Sequence, residues 1–386
     1  MSVSIFRLPP ELIDLVIHEN RESIGTLRSC ALVCRAFRGS SQGCIFASVL
    51  LGPDLSPVPK FHDLIRESPH LCAHVRKFAI HDVDRGEWEA CFPALVEILD
   101  LLNNVTTFTL SFIPRIRWQD LPANLQAAIC AFCQRSPLVS LRLVRTGPFN
   151  SVSEFTQLVA STALKELWLK GLEIPVPGPD DIRPTNTIAP TDLQFNLEPS
   201  TLAIVTSWLV DGGSLSDVRS LSFFWSRDSV SDVHALTRGA AANLEKLTLG
   251  SLNAEFTMDF PPLRLGAAQQ KLQQLELTLN VDINYSNRLP HGLAVLLESC
   301  PPSLVEISVA IYLSTRNPNL PIVEMDWTPV AETLTVARFP ALQHLSLMLF
   351  PFRSMAKTVE EKLLGDMHSG LSDLHAGGIL KHSPLD

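Results

Sequence analysis

The chain contains no run of eighteen or more apolar residues, so no stretch is long and greasy enough to cross a bilayer as a helix. It has no long Lys/Arg run either, and a net charge of −9 offers no basic stripe for a phosphate backbone. Neither a membrane nor a nucleic acid is therefore expected as a partner. The first fifteen residues lack a continuous apolar core and carry Arg7, Glu11 and Asp14, so no secretory signal is expected and a cytoplasmic or nuclear setting follows. Also missing are a Gly-rich phosphate loop, a Gly-x-Ser-x-Gly elbow and a His-Glu-x-x-His pair. No enzyme activity, metal or cofactor is expected. What is present, 46% apolar and 18% charged residues, describes a folded protein rather than a disordered one.

The residues that could carry chemistry have plainer readings. Eight cysteines (Cys30, Cys34, Cys44, Cys72, Cys91, Cys130, Cys133 and Cys300) lie mostly in apolar helical patterns, as reduced core thiols do. Cys130 and Cys133 have redox spacing, but they sit mid-helix with no second pair. His70, His74 and His81 cluster within twelve residues, and two histidines four apart could face the same way on a helix, but no third ligand is evident and they read as surface residues. Asp180 and Asp181 are adjacent, so their side chains point apart, in a loop that reads as solvated.

Residues 8–46 read as three short helices. Leu8-Pro9-Pro10-Glu11-Leu12-Ile13 places proline in a first helical turn, and Leu12, Ile13, Val16 and Ile17 follow at helical spacing. Thr26 is placed to cap a second helix with Leu27, Cys30, Cys34 and Phe37 on its buried stripe. Gly39 and Ser40 end it, and Ile45, Phe46 and Val49 suggest a third turn. About forty residues bury too little apolar surface to stand alone, so this segment needs something to lean on. With Leu-Pro-Pro-Glu-Leu followed by Leu32-Val33-Cys34-Arg35 and Phe37, it resembles the F-box, over roughly a tenth of the chain. The resemblance implies docking on a Skp-type adaptor, and through it a cullin, by Leu8, Pro9, Pro10, Leu12, Ile13, Leu27, Val33 and Phe37. The polar stretch His18–Glu22 departs from the leucine-rich end such a first helix has.

Beyond a turn-rich connector at 51–60, where Gly52 to Pro59 reads as neither helix nor strand, one phrase recurs: apolar, two variable, apolar, one variable, apolar. It appears as Val75/Phe78/Ile80, Val105/Phe108/Leu110, Leu138/Leu141/Leu143 and Leu164/Leu167/Leu169. It returns as Val218/Leu221/Phe223, Leu244/Leu247/Leu249, Leu272/Leu275/Leu277, Leu304/Ile307/Val309 and Leu342/Leu345/Leu347. Successive copies start 30, 33, 26, 54, 26, 28, 32 and 38 residues apart, and Leu193–Leu197 alternates where the gap of 54 needs a copy. The alternating end of each phrase reads as a strand, and helical stretches lie between. A strand and a helix per unit make parallel neighbours that bury their flanks against one another. The array resembles leucine-rich repeats of a degenerate kind, with longer and less regular periods than usual. The expected fold is an α/β solenoid. An N-terminal three-helix F-box (1–50) leads into an irregular leucine-rich-repeat-like domain (61–386), whose parallel sheet lines a concave face and whose C-terminal helix and tail form a cap. Two segments, the proline-rich stretch 174–190 and Ala254–Ala268, read as irregular insertions.

Residues flanking the last two apolar positions of each phrase face away from the core. Most are small or polar; Trp168 and Phe224 are not, and Arg142 lies one repeat from Trp168. Aromatics and arginine carry a large share of interface energy. Arg142, Glu166, Trp168 and Phe224 are therefore the expected target-binding residues, with cover of Trp168 by Ile174 or Val176 weighed evenly against this. The function expected is that of a non-catalytic substrate receptor of a Skp–cullin–F-box ubiquitin ligase, holding an unidentified target protein. The alternative is an interaction scaffold with the same two parts and no part in ubiquitination.

Overall fold

The computed structural model describes residues 9–52, 57–81, 88–112, 117–160, 163–176, 188–251, 269–282, 289–314, 325–350, 357–372 and 380–381. The chain divides into two compact units, Met1–Ile188 and Ala189–Asp386.

The first unit begins with three helices: α1 (Pro10–Glu19), α2 (Ile24–Val33) and α3 (Arg35–Phe46). Ile13, Ile17 and Leu27 form a small shared core, with Cys30, Phe37, Cys44 and Ile45 packed around it. Two details differ from the expectation. Thr26 lies inside α2 and does not cap it; the N-cap is Ser23, whose hydroxyl lies 2.8 Å from that of Thr26. The break between the second and third helices falls at Cys34, which is extended (φ −162°, ψ 169°), and α3 runs straight through Gly39 and Ser40. Within α3, the Ser40 hydroxyl donates to the Asp14 carboxylate on α1.

The expected boundaries at residues 50 and 60 both fall inside regular elements. Strand β1 (Ser48–Leu51) pairs in parallel with β2 (Lys77–His81), so the sheet starts directly after α3. Helix α4 (Pro57–Glu67) contains Pro57, Val58 and Pro59, which the connector reading had excluded from helix. Both prolines stand in its first turn, where no N–H partner is lost and φ is already helical. Buried Val58, Phe61 and Ile65 give the helix its inward stripe.

The repeats then follow the phrase. In the first unit, β2 to β5 include β3 (Thr107–Ser111), β4 (Ser140–Val144) and β5 (Glu166–Lys170), all parallel and paired in sequence order. Helices α5 (Trp88–Leu101), α6 (Ala123–Arg135) and α7 (Val152–Val159) alternate with them. The second unit has β6 (Asp192–Asn196), β7 (Ser220–Trp225), β8 (Lys246–Ser251), β9 (Gln274–Asp282), β10 (Glu306–Ser314), β11 (His344–Phe350) and β12 (Leu380–Lys381). These also pair in parallel and in order. Helices α8 (Pro199–Asp211), α9 (Val230–Gly239), α10 (Leu289–Glu298), α11 (Thr328–Thr333) and α12 (Lys357–Gly370) complete it. β6 supplies the copy that the gap of 54 required. The expected C-terminal helix is α12, and β12 adds a last short strand.

Every apolar residue of the nine phrases is at most 2% exposed except Leu342, which is half-buried in the last repeat. A backbone device accompanies each phrase. The N–H groups of two consecutive residues at the start of a strand both donate to one carbonyl of the preceding repeat. Arg76 and Lys77 share Ala47 O, Thr106 and Thr107 share Arg76 O, and Val139 and Ser140 share Thr106 O; Lys165 and Glu166 share Val139 O. The second unit repeats it from Thr191 O, Arg219 O, Glu245 O, Gln273 O and Val305 O. All eighteen of these bonds measure 2.8–3.1 Å.

The helices are tied repeat to repeat as well. Arg135 of α6 donates to Leu99 O (2.8 Å) and Asn103 Oδ1 (3.1 Å), supplying a donor to a carbonyl in the last turn of α5. Arg338 does the same for Glu298 O at the end of α10. His62 on α4 bonds Glu97 on α5 at 2.8 Å, which holds the Glu97 carboxyl below its usual range. Inside, Phe78 and Phe108 stack at 5.9 Å, and Phe132 of α6 meets Phe108 edge-on at 5.0 Å. Phe108→Ala removes the middle ring of this stack and should cost about 3–5 kcal/mol of unfolding free energy, read as a lower midpoint in urea denaturation. A loss under about 1 kcal/mol would show that the cluster is not packed as described.

Candidate functional site

Two surfaces concentrate the residues singled out by the sequence. The first is the outside of the helical module. Leu8 lies outside the described residues. Pro9 and Pro10 are exposed at the start of α1, and Leu12 (46% exposed) and Val33 (65%) face outward. Ile13 and Leu27, expected to touch the adaptor, are instead in the core of the module, and Phe37 is half-buried against it. Their part is to hold the three helices together. The sequence reading missed Leu15 (55%), Val16 (52%), Ile24 (54%) and Leu32 (84%), which are exposed beside Leu12 and Val33 in the chain. Helix α1 is thus apolar on both sides, with Ile13 and Ile17 inward and Leu12, Leu15 and Val16 outward. Apolar residues all round mark a helix that ends up covered.

The second surface is the face of the strands that points away from the apolar phrase residues. Parallel register arranges the first unit's face in rows. One row holds Ser48, Lys77, Thr107, Ser140 and Glu166; the next holds Leu50, Ala79, Thr109, Arg142 and Trp168; the last holds His81, Ser111, Val144 and Lys170. Arg142 and Trp168 are therefore direct neighbours, and the guanidinium carbon lies over the indole at 5.2 Å from the ring centroid. That contact explains why an outward tryptophan is only half-exposed. Ile174 is buried and Val176 is 78% exposed. Glu166 is exposed at the corner of the face. Ser140 departs from expectation: it is buried, and its hydroxyl has no partner among the described residues.

On the second unit's face, Phe224 lies across Gly250 of the next strand, where a Cβ would come within 2.5 Å of its ring. Glycine there is what lets the ring lie flat. Charged groups on this face are tied to each other: Lys246 Nζ bonds Glu276 at 2.6 Å, Thr248 donates to Glu276 at 3.0 Å, and Gln274 donates to Glu306 at 3.2 Å. The sequence reading stopped at the phrase and missed Tyr312 and Phe350. Strands β10 and β11 run past the phrase, which puts these two residues in register and stacks their rings at 4.5 Å and 9°.

All eight cysteines are free thiols. Cys133 and Cys300 are buried and Cys130 is partly so; burial pushes the thiol of Cys130 up to about 11 and of Cys300 to about 12, and Cys133 well above the ordinary range. His70 is exposed, and His74 and His81 are half-buried. His74 lines an open cleft of about 650 Å³ with Asp14, His18, Arg21, Ser40 and Cys44. Among the described residues, no group of three or more His, Cys, Asp or Glu is placed to hold a metal. Asp180, Asp181 and the segment Ala254–Ala268 lie outside the described residues.

No protein-family model and no curated protein matches the chain. Among solved structures it is similar to the leucine-rich repeat-containing protein LegL7 from Legionella pneumophila. The identity is 17% and the TM-score 0.40, over 76% of this chain and 97% of that one. It is also similar to a chain of the yeast Rad7 and Elc1 complex, with 14% identity and a TM-score of 0.32, over 81% of this chain and 92% of that one. At these scores the likeness settles no closer relationship.

Two outcomes follow from the geometry. In native protein at pH 8, Cys130, Cys133 and Cys300 should alkylate at least about tenfold more slowly than in denaturant, because a raised thiol pKa leaves little thiolate; mass spectrometry after timed iodoacetamide treatment measures this. Trp168→Ala, a change on a half-exposed ring, should lower unfolding free energy by about 1 kcal/mol or less, and a larger loss in denaturant titration would make Trp168 a core residue.

Proposed function

We propose that the protein is a non-catalytic substrate receptor of a cullin-type ubiquitin ligase. Helices α1–α3 dock a Skp-type adaptor, and the open sheet faces hold the target. The observation that supports this most is the doubled apolar character of α1 and α2. The module spends Ile13, Ile17 and Leu27 on its own core and still exposes Leu12, Leu15, Val16, Ile24, Leu32 and Val33. A small module that leaves six large apolar side chains exposed beyond its own core suits cover by another protein. It also matches the resemblance of this stretch to the F-box.

The array suits the other half of the task. Its open faces carry no acid–base or nucleophilic constellation among the described residues. A receptor of this kind needs none, since its contribution is to raise the effective concentration of the target near activated ubiquitin carried by other subunits. Arg142, Trp168 and Phe224 supply contact groups of the sort that dominate interfaces, and Glu166 borders them.

Co-purification with a Skp-type adaptor tests the docking half. The wild-type chain should bring the adaptor down. Leu15→Asp with Val33→Asp, both on exposed positions, should reduce capture by at least about tenfold while leaving the circular dichroism melting curve unchanged. Failure of the wild-type chain to retain the adaptor, or undiminished capture by the double variant, overturns the docking claim. If the adaptor binds but a reconstituted complex ubiquitinates no captured target, the chain is an interaction scaffold instead.

A further inference from the structure

The two open faces treat charge in opposite ways. On the second unit's face, Lys246 is paired with Glu276, and Glu276 and Glu306 accept further hydrogen bonds from Thr248 and Gln274. Gln194 likewise donates to Asp192 at 3.3 Å. On the first unit's face, the side chains of Lys77, Arg142 and Lys170 make no ion pair or hydrogen bond among the described residues; the guanidinium of Arg142 only stacks on Trp168. Among the described residues of this face, one carboxylate, Glu166, stands against these three cations. In a protein of net charge −9, three cations without a counter-charge among the described residues make this sheet face complementary to negative charge.

Their placement adds geometry. Strands lie about 4.8 Å apart and alternate residues of one strand about 6.6 Å apart. The register then puts Lys77 about 12 Å from Arg142, and Arg142 about 8 Å from Lys170, along one diagonal of the sheet. Glu166 sits off that line, at the corner. Trp168 and Val144 flank the diagonal and give it an apolar floor, with Leu50 (58% exposed) at the far end of Arg142's row. In an extended peptide the side chains on one side recur about every 6.6 Å. Carboxylates at positions i, i+4 and i+6 therefore meet the three cations in turn.

We propose that the open face of the first unit binds an extended acidic peptide segment, laid along the Lys77–Arg142–Lys170 diagonal. The Arg142 guanidinium, pre-oriented by stacking on Trp168, takes one carboxylate with two parallel N–H donors. The two lysines take the others as point charges. This rests on reading the open face as the target-holding surface, and it names the class of target segment that surface accepts. Single-stranded nucleic acid is the other polyanion that cations and an indole could hold, but the chain's acidic balance disfavours it.

Fluorescence anisotropy with the full-length protein tests the proposal. The probe is a fluorescein-labelled seven-residue peptide of serine with glutamate at its first, fifth and seventh positions and valine at its third. Controls are the same peptide with lysine for glutamate, and a labelled thymidine oligonucleotide. The acidic peptide should bind, and its affinity should fall as salt rises. Arg142→Gln and Lys170→Gln should each weaken it by about tenfold, whereas Lys246→Gln on the second unit should leave it unchanged. No binding of the acidic peptide, equal binding of the lysine peptide, or indifference to Arg142→Gln and Lys170→Gln overturns the proposal. Tighter binding of the oligonucleotide than of the peptide also overturns it, in favour of a nucleic acid. None of these readouts involves the adaptor, so loss of adaptor capture and loss of peptide binding are separate results.

Discussion

One backbone carbonyl per repeat receives two consecutive N–H groups from the repeat that follows, and the order within each unit depends on it. Because side chains alternate along a strand, a slip of one residue would turn every apolar phrase residue to the open face. Two donors converging on one acceptor set the start of each strand against the last and leave no such freedom. With the phase set, phrase residues stack on phrase residues. Phe78 meets Phe108, and Phe108 meets Phe132 from the adjoining helix. The open-face residues fall into the rows that put Arg142 beside Trp168 and Phe224 over Gly250. Packing and the layout of the open faces thus share a single register.

The helices carry a second, looser set of ties. A carbonyl near the C-terminus of one helix would otherwise lack a partner, and an arginine from further along the chain supplies a donor at α5 and again at α10. The helical module joins the first device only at its end, where Ala47, the C-cap of α3, accepts from Arg76 and Lys77. Three core residues and a hydroxyl–carboxylate tie between Ser40 and Asp14 hold it together. Its apolar surface remains outside, which is the physical reason to look for a second protein there.

The repeat was legible in the sequence because one pattern answers to two demands. Burial and strand alternation both require Leu-x-x-Leu-x-Leu spacing, so the phrase located the strands, and a doubled gap located β6. The helices between were legible to within a few residues for the same reason. Local chemistry was harder. Pro57 and Pro59 suit a loop or a first helical turn equally well, and α4 took the second option. Gly39 suggested a stop, yet α3 runs on through it to Phe46 and the break falls at Cys34, whose backbone is extended. On the module surface, periodicity finds apolar faces but does not say which one is inside. Leu27 and Ile13 went to the core, while Leu15 and Leu32, no less apolar, stayed out. Tyr312 and Phe350 escaped notice because β10 and β11 extend beyond the repeating phrase.

The lengths of the first and last strands have a consequence for how copies of the chain meet. β1 has four residues and β12 two, whereas the strands between them have five to nine. A parallel sheet that ended on a nine-residue strand would offer a long row of open backbone groups on which another chain could polymerise. Tapering the margins to a few residues withdraws most of that template. The sheet faces can therefore be wide while β1 and, among the described residues, β12 give copies of the chain little edge on which to aggregate.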